Sequence, residues 1–177
     1  MHTVNSYIRY YWDSGNELSM MMLDYYGYTQ DADFAKTTLL PIADAVVTFY
    51  DQHYKRNAAG KVHFSPAMSL ETWHSAEDPL PVVIGLKTVL TGLLDLPETL
   101  TNDEQRKRWV RFLGELPDIP FGEQDGNRWI RPARTYSNKR NSENPELYGR
   151  LPDGGVRLRA GDGRAGTASA RLAARTL

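Results

Sequence analysis

Cysteine is absent from the 177 residues, which excludes disulfides and thiolate chemistry. The absence assigns no compartment, because periplasmic and cytosolic bacterial proteins both do without Cys. No run approaches the roughly 20 apolar residues of a bilayer span. An excess of charge is missing too. The formal net charge is −1, so nothing pulls the chain toward nucleic acid or an anionic membrane. His2, His53, His63 and His74 lack ligand spacing with one another, so no metal is expected. No sequence feature implies a cofactor. Met1–Tyr10 lacks the apolar h-region of a secretory leader, and a helical pattern begins almost at once. We therefore expect Met1 not to be the natural start, which leaves localisation open, with a periplasmic or secreted parent compatible.

Aromatics and lysine disappear near the end. The 5 Phe, 4 Trp and 10 Tyr all lie at or before Tyr148, and residues 150–177 are rich in Arg, Gly and Ala without Lys. Such a stretch buries too little apolar surface to fold alone, so a disordered tail is expected over 150–177. Its lack of Lys beside so many Arg fits translation of a GC-rich gene in a shifted frame. A natural basic tail is the alternative. Residues 1–149 have the composition of an ordinary globular domain, with 41% hydrophobic and 24% charged residues overall.

Asn5–Tyr26 reads as a helix: Ile8, Tyr11, Trp12, Gly15, Leu18, Met22 and Tyr25 recur at three- and four-residue steps. Met20, Met21 and Met22 make it apolar nearly all round, as for a helix packed on two sides. Gly27 is the expected stop, and Asp31 or Asp33 caps a second helix over Asp33–Arg56, with a kink or restart at Pro41. The short link predicts an αα-hairpin. Lys61–Phe64 alternates like a short strand, and Ser65–Pro81 reads as a long irregular loop. Pro81–Leu96 is a third helix. Thr101-Asn-Asp-Glu104 matches a capping box opening a fourth helix to Leu116. Ile119–Pro132 predicts a hairpin, with Trp129-Ile130 against Phe121. Helix pairs alternating with long loops are the pattern of an α/α toroid or solenoid, and no short repeat consensus fits.

The loop Phe64-Ser-Pro-Ala-Met-Ser-Leu-Glu71-Thr-Trp73-His74 holds the richest local chemistry. A carboxyl against an aromatic wall gains a raised pKa and suits proton donation, which makes Glu71 a candidate beside Trp73. Trp73 and Trp12 can stack on a sugar face, and His74 supplies a donor. Local pattern alone favours a solvated loop acid. Asn141-Ser-Glu143-Asn144-Pro-Glu146-Leu-Tyr148 suits hydroxyl-rich ligands, but the residues alone favour a plain helix cap, with Asn144 as cap and Pro145 at the first helical position. Asp13 and Glu17, four apart, share one helix face; a central cavity and a solvated edge explain them equally well.

Three runs carry a family resemblance: Tyr10-Tyr-Trp-Asp-Ser-Gly-Asn-Glu17-Leu-Ser-Met-Met-Met-Leu-Asp24-Tyr-Tyr, the Phe64–His74 loop, and Glu143-Asn-Pro-Glu-Leu-Tyr148. Together they resemble a bacterial glycosyl-hydrolase-like family of uncharacterised function, itself similar to the α-L-fucosidases of glycoside hydrolase family 95. The resemblance implies an all-α fold, a partial (α/α)6 toroid whose loops carry short β-hairpins and bind a glycan. It implies Glu71 as general acid; an inverting reaction is the hypothesis, and Trp12, Trp73, His74, Glu143 and Asn144 are the substrate-side candidates from their own chemistry. The family's base-side Asn and Asp positions have no match here, and Glu143 and Glu146 are the partners on offer. The expectation is therefore a fragment of a glycan-acting protein, inactive alone and poorly soluble. A non-catalytic helical glycan-binding or interaction module is the alternative.

Overall fold

The structure, a computed structural model, describes residue 5 and residues 7–150, with 149 and 150 by backbone only. Residues 7–10 form a turn, and α1 spans Asp13–Thr29. The helix runs straight through Gly27, whose open surroundings impose nothing, and ends at Gln30 in the left-handed region (φ 54°). Asp31 caps the next rod, accepting the N–H groups of Asp33 and Phe34 at 3.0 Å each. That rod begins as α2 (Ala32–Phe34), loosens to a π turn over Ala35–Leu39, and continues as α3 (Leu40–His53). The restart falls at Pro41, which cannot donate into the preceding turn. The expected αα-hairpin is present.

α4 (Leu80–Asp95) is the axis of the core, with Val83, Leu86, Val89, Leu90 and Leu93 fully buried. α1 and α5 (Asp103–Glu115) pack against it, the latter through Trp109 and Phe112. The capping box of α5 is real but sits one residue later than its sequence match: Asn102 and Gln105 exchange the two bonds, at 2.9 and 3.1 Å. α3 and α5 are cross-tied by Arg56, Arg111, Asp51 and Glu115, and Trp109 Nε1 donates to Asp44 at 2.8 Å.

The all-α expectation is overturned, and the toroid with it. Among the described residues, four helical rods share the molecule with two antiparallel sheets. β1 (Ala67–Ser69), β2 (Trp73–Pro79) and β5 (Ala133–Lys139) form one, in the order β1-β2-β5, with Trp73 opposite Lys139 and Pro79 opposite Ala133. β3 (Phe121–Gln124) and β4 (Asn127–Ile130) form the other. This second sheet is the expected hairpin, turned by Asp125-Gly126 with both φ positive (53° and 75°). The first sheet replaces most of the expected loop 65–81. Its centre is fixed by Asp78, 5% exposed, which accepts from the Phe64 N–H at 2.8 Å and from Arg134 Nε at 2.7 Å. Lys61–Phe64 makes only one bridge, Val62 to Arg56.

A second correction concerns α1. Met22 is buried but Met21 is 68% exposed, so the helix is packed on one side only. Among the described residues no helix is long and apolar enough to cross a membrane. The Arg/Gly/Ala tail expected over 150–177 lies outside the described residues, apart from the backbone of Arg150.

Candidate functional site

Glu71 stands half-buried on the tight turn between β1 and β2, beside Leu70 at φ 50°. The turn is anchored from below, where Ser69 Oγ donates to the Pro132 carbonyl at 2.6 Å. From the side it is gripped by Glu143, whose Oε2 accepts the Glu71 N–H at 3.2 Å and the Thr72 hydroxyl at 3.3 Å. The Thr72 hydroxyl also lies 3.2 Å from the Glu143 carbonyl. Two acids far apart in sequence are thus brought together. A few residues further, Tyr148 donates its hydroxyl to Glu17 on α1 at 2.9 Å. Segment 143–148 therefore links the β1–β2 turn to the first helix.

Tyr11, just before α1, reports what gathers there. Its phenol is pushed up to about 12, first by burial and then by the charges of Glu17, Asp13, Glu143 and Glu71. Carboxyls from three separate stretches of chain thus bear on one hydroxyl through their charge. Tyr148 is raised as well, by burial and then by its bond to Glu17.

Asp13 itself is buried, 2% exposed, with no hydrogen-bond partner for either oxygen. Burial, and secondarily Glu17, raise its pKa to about 8, so it is neutral at pH 7. Asn16 one turn on is 1% exposed, and its amide is also without a partner. The Tyr50 hydroxyl on α3 lies in the same place, its pKa raised by burial and then by Asp13. Gly85 lets α4 close over this spot: a Cβ there would stand 3.0 Å from the Asn16 Cβ. A carboxyl with no partner, buried beside an amide and a phenol, is costly, and such costs concentrate where chemistry is done.

The other sequence candidates are placed differently. Trp73 is engaged by β5, with Tyr136 at 4.8 Å and the Lys139 ammonium 5.6 Å above its ring. His74 meets Tyr7 edge-on at 4.6 Å, its buried Nε2 without a partner. Trp12 is 38% exposed and leans on Phe49 at 5.4 Å. Asn144 is exposed and caps the short 3-10 helix Pro145–Arg150 through its carbonyl, which accepts the Leu147 N–H at 3.0 Å. Glu146, the other offered partner, is half-buried on that helix.

Sequence reasoning missed Tyr11, Asn16, Tyr50 and Tyr148. Asn16 had a legible signal, a polar residue one turn from Asp13; Tyr11 and Tyr50 read as residues of apolar helix faces, and Tyr148 closed the polar run from Asn141 without a role of its own. Two surface concavities lie elsewhere. One of about 520 Å³ is bordered by Lys61, His63, Asp78, Arg131 and Arg134, the other, of about 220 Å³, by Lys36, Asp44 and Gln105. Among the described residues no group of three His, Cys, Asp or Glu side chains is disposed to hold a metal ion. No protein-family model, curated protein or solved structure matches the chain.

Proposed function

We propose that this chain carries a glycan-acting acid–base site, with Glu71 as proton donor at its mouth and Glu143 as its carboxylate partner. The observation that carries the reading is the meeting of segment 143–148 with the β1–β2 turn and α1: Glu143 Oε2 accepts the Glu71 N–H at 3.2 Å and the Thr72 hydroxyl at 3.3 Å, and Tyr148 donates to Glu17 at 2.9 Å. Glycosidic bond cleavage asks for a pair of carboxyls flanking the bond, and Glu71 and Glu143 are the pair this group of four acids offers at the surface. Asp13 is the member that burial keeps neutral; lying beneath the surface, it acts as a positioning residue rather than one that touches substrate. The hydroxyls of Tyr11 and Tyr148 and the exposed Asn144 suit a ligand rich in hydroxyl groups. The resemblance of the three sequence runs to a glycosyl-hydrolase-like family points the same way.

A glycan array probed with the full chain, followed by an assay of reducing-end release, tests the proposal. In place of a fragment inactive alone, the meeting of Glu143 with the Glu71 turn offers the missing second carboxylate, so wild type is expected to retain a glycan and cleave it, and Glu71→Gln to retain without cleaving. No retained glycan sinks the reading. The exposed Trp12 ring supports a second reading, binding without cleavage. Its signature is retention by wild type with no release, lost in Trp12→Ala.

A further inference from the structure

We propose that the outward face of α1 is a docking surface for a partner protein's amphipathic helix, one whose apolar stripe is flanked by Lys or Arg. The inference is independent of the glycan reading. It begins from an inverted helix. The inward side of α1 buries Asp13, Asn16 and Ser19 beside Met22 and Tyr26. Its outward side shows solvent Leu18 (46%), Met21 (68%), Tyr25 (49%) and Tyr28 (91%). An ordinary surface helix does the reverse.

The exposed residues are ordered. They follow one another at steps of three, four and three, the spacing of a coiled-coil seam, and cover about 15 Å of helix. A second helix laid along this stripe would find holes for its own apolar side chains.

Charge selects the partner. Glu17, which also accepts from Tyr148, and Asp24 lie along one edge of the stripe, and the helix contains no Lys or Arg; Asp31 and Asp33 continue the acidic edge past its end. Two copies packed through this face would set acid against acid, so a second copy is disfavoured. An anionic membrane is disfavoured for the same reason. A helix with basic flanks meets both requirements, apolar burial and opposite charge.

The test titrates the full chain with two labelled synthetic helical peptides sharing Leu at the seam. One has Lys at the flanking positions, the other Glu. The Lys peptide is expected to bind, less tightly as NaCl is raised, and the Glu peptide not to bind. Met21→Glu and Asp24→Lys should each weaken the Lys peptide about tenfold or more. Both positions are exposed, so the melting temperature should stay unchanged, and Asp24→Lys should gain affinity for the Glu peptide. Equal binding of the two peptides overturns the proposal, as does indifference to Met21→Glu. So does a wild-type dimer in sedimentation that Met21→Glu dissolves, or binding to vesicles of phosphatidylcholine alone.

Discussion

Replacing Asp13 by Asn should make the chain more stable at neutral pH, and by an amount that grows with pH. In the folded chain Asp13 keeps its proton up to about pH 8, against an ordinary value of 3.8. Between those limits the folded state binds a proton that the unfolded state has released. Stability therefore falls as pH rises through that window and is undiminished below it. Each unit is worth about 1.4 kcal/mol, so the carboxyl costs the fold about 4 kcal/mol by pH 7. That is a large share of the 5–15 kcal/mol, roughly, that holds a domain together. An asparagine side chain has nearly the same shape and never ionises. Its own unpartnered amide adds a penalty that does not vary with pH, so the pH dependence isolates the carboxyl. Urea unfolding followed by tryptophan fluorescence, for both proteins at steps from pH 4 to pH 8, reads the difference directly. The advantage of Asp13→Asn over wild type should widen by several kcal/mol toward pH 8. Parallel stability curves would refute the reasoning, because they would mean that Asp13 is paired or hydrated in solution.

Gly85→Ala sets a methyl 3.0 Å from the Asn16 Cβ and should cost about 1–3 kcal/mol in urea midpoint measurements, the usual penalty of overpacking. Gly92→Ala should cost less, although its contact with Leu23 Cδ1 is closer at 2.8 Å, since that atom is the end of a flexible side chain. Tyr148→Phe removes the 2.9 Å bond to Glu17 and should lower stability by about 1 kcal/mol, with faster amide exchange over residues 145–148. Asp51 titrates in the opposite sense to Asp13. Burial pushes it up, but hydrogen bonds from Arg111 and Arg56 outweigh that and hold it below its ordinary value. Its stabilisation is present above the ordinary carboxylate range and lost as pH falls, so Asp51→Ala should flatten the acid limb of the stability curve.

What the sequence disclosed was what local chemistry decides. The αα-hairpin, the buried stripe of α4 and the hairpin turned by Asp125-Gly126 each rest on residues close together in the chain. The capping box did so too, to within one residue. The β1-β2-β5 sheet did not show, because β2 opens on polar residues and its long partner β5 comes after two further helices. An irregular loop and a strand waiting for a distant partner look alike from within. The site divides the same way. Glu71 and Glu143 stood out singly, but their meeting depends on the fold. Asp13 was ambiguous because a helical carboxyl is solvated or buried according to what covers it. Here the cover is the packing of α1 against α3 and α4, with Gly85 admitting α4 beside Asn16. The exposed outer face of α1 ran against the expectation of a helix packed on both sides, since an apolar pattern tells that a surface seeks cover and not whether this chain supplies it.

The central claim, that Glu71 donates a proton to a departing sugar oxygen, is tested most directly by comparing two leaving groups. Wild type and Glu71→Gln are given a retained glycan with its natural linkage and the matching aryl glycoside, whose phenol leaves with little protonation. The account predicts a loss of about 10²–10⁴-fold on the natural linkage and a far smaller loss on the aryl glycoside. Equal losses on both, or none on either, would contradict it.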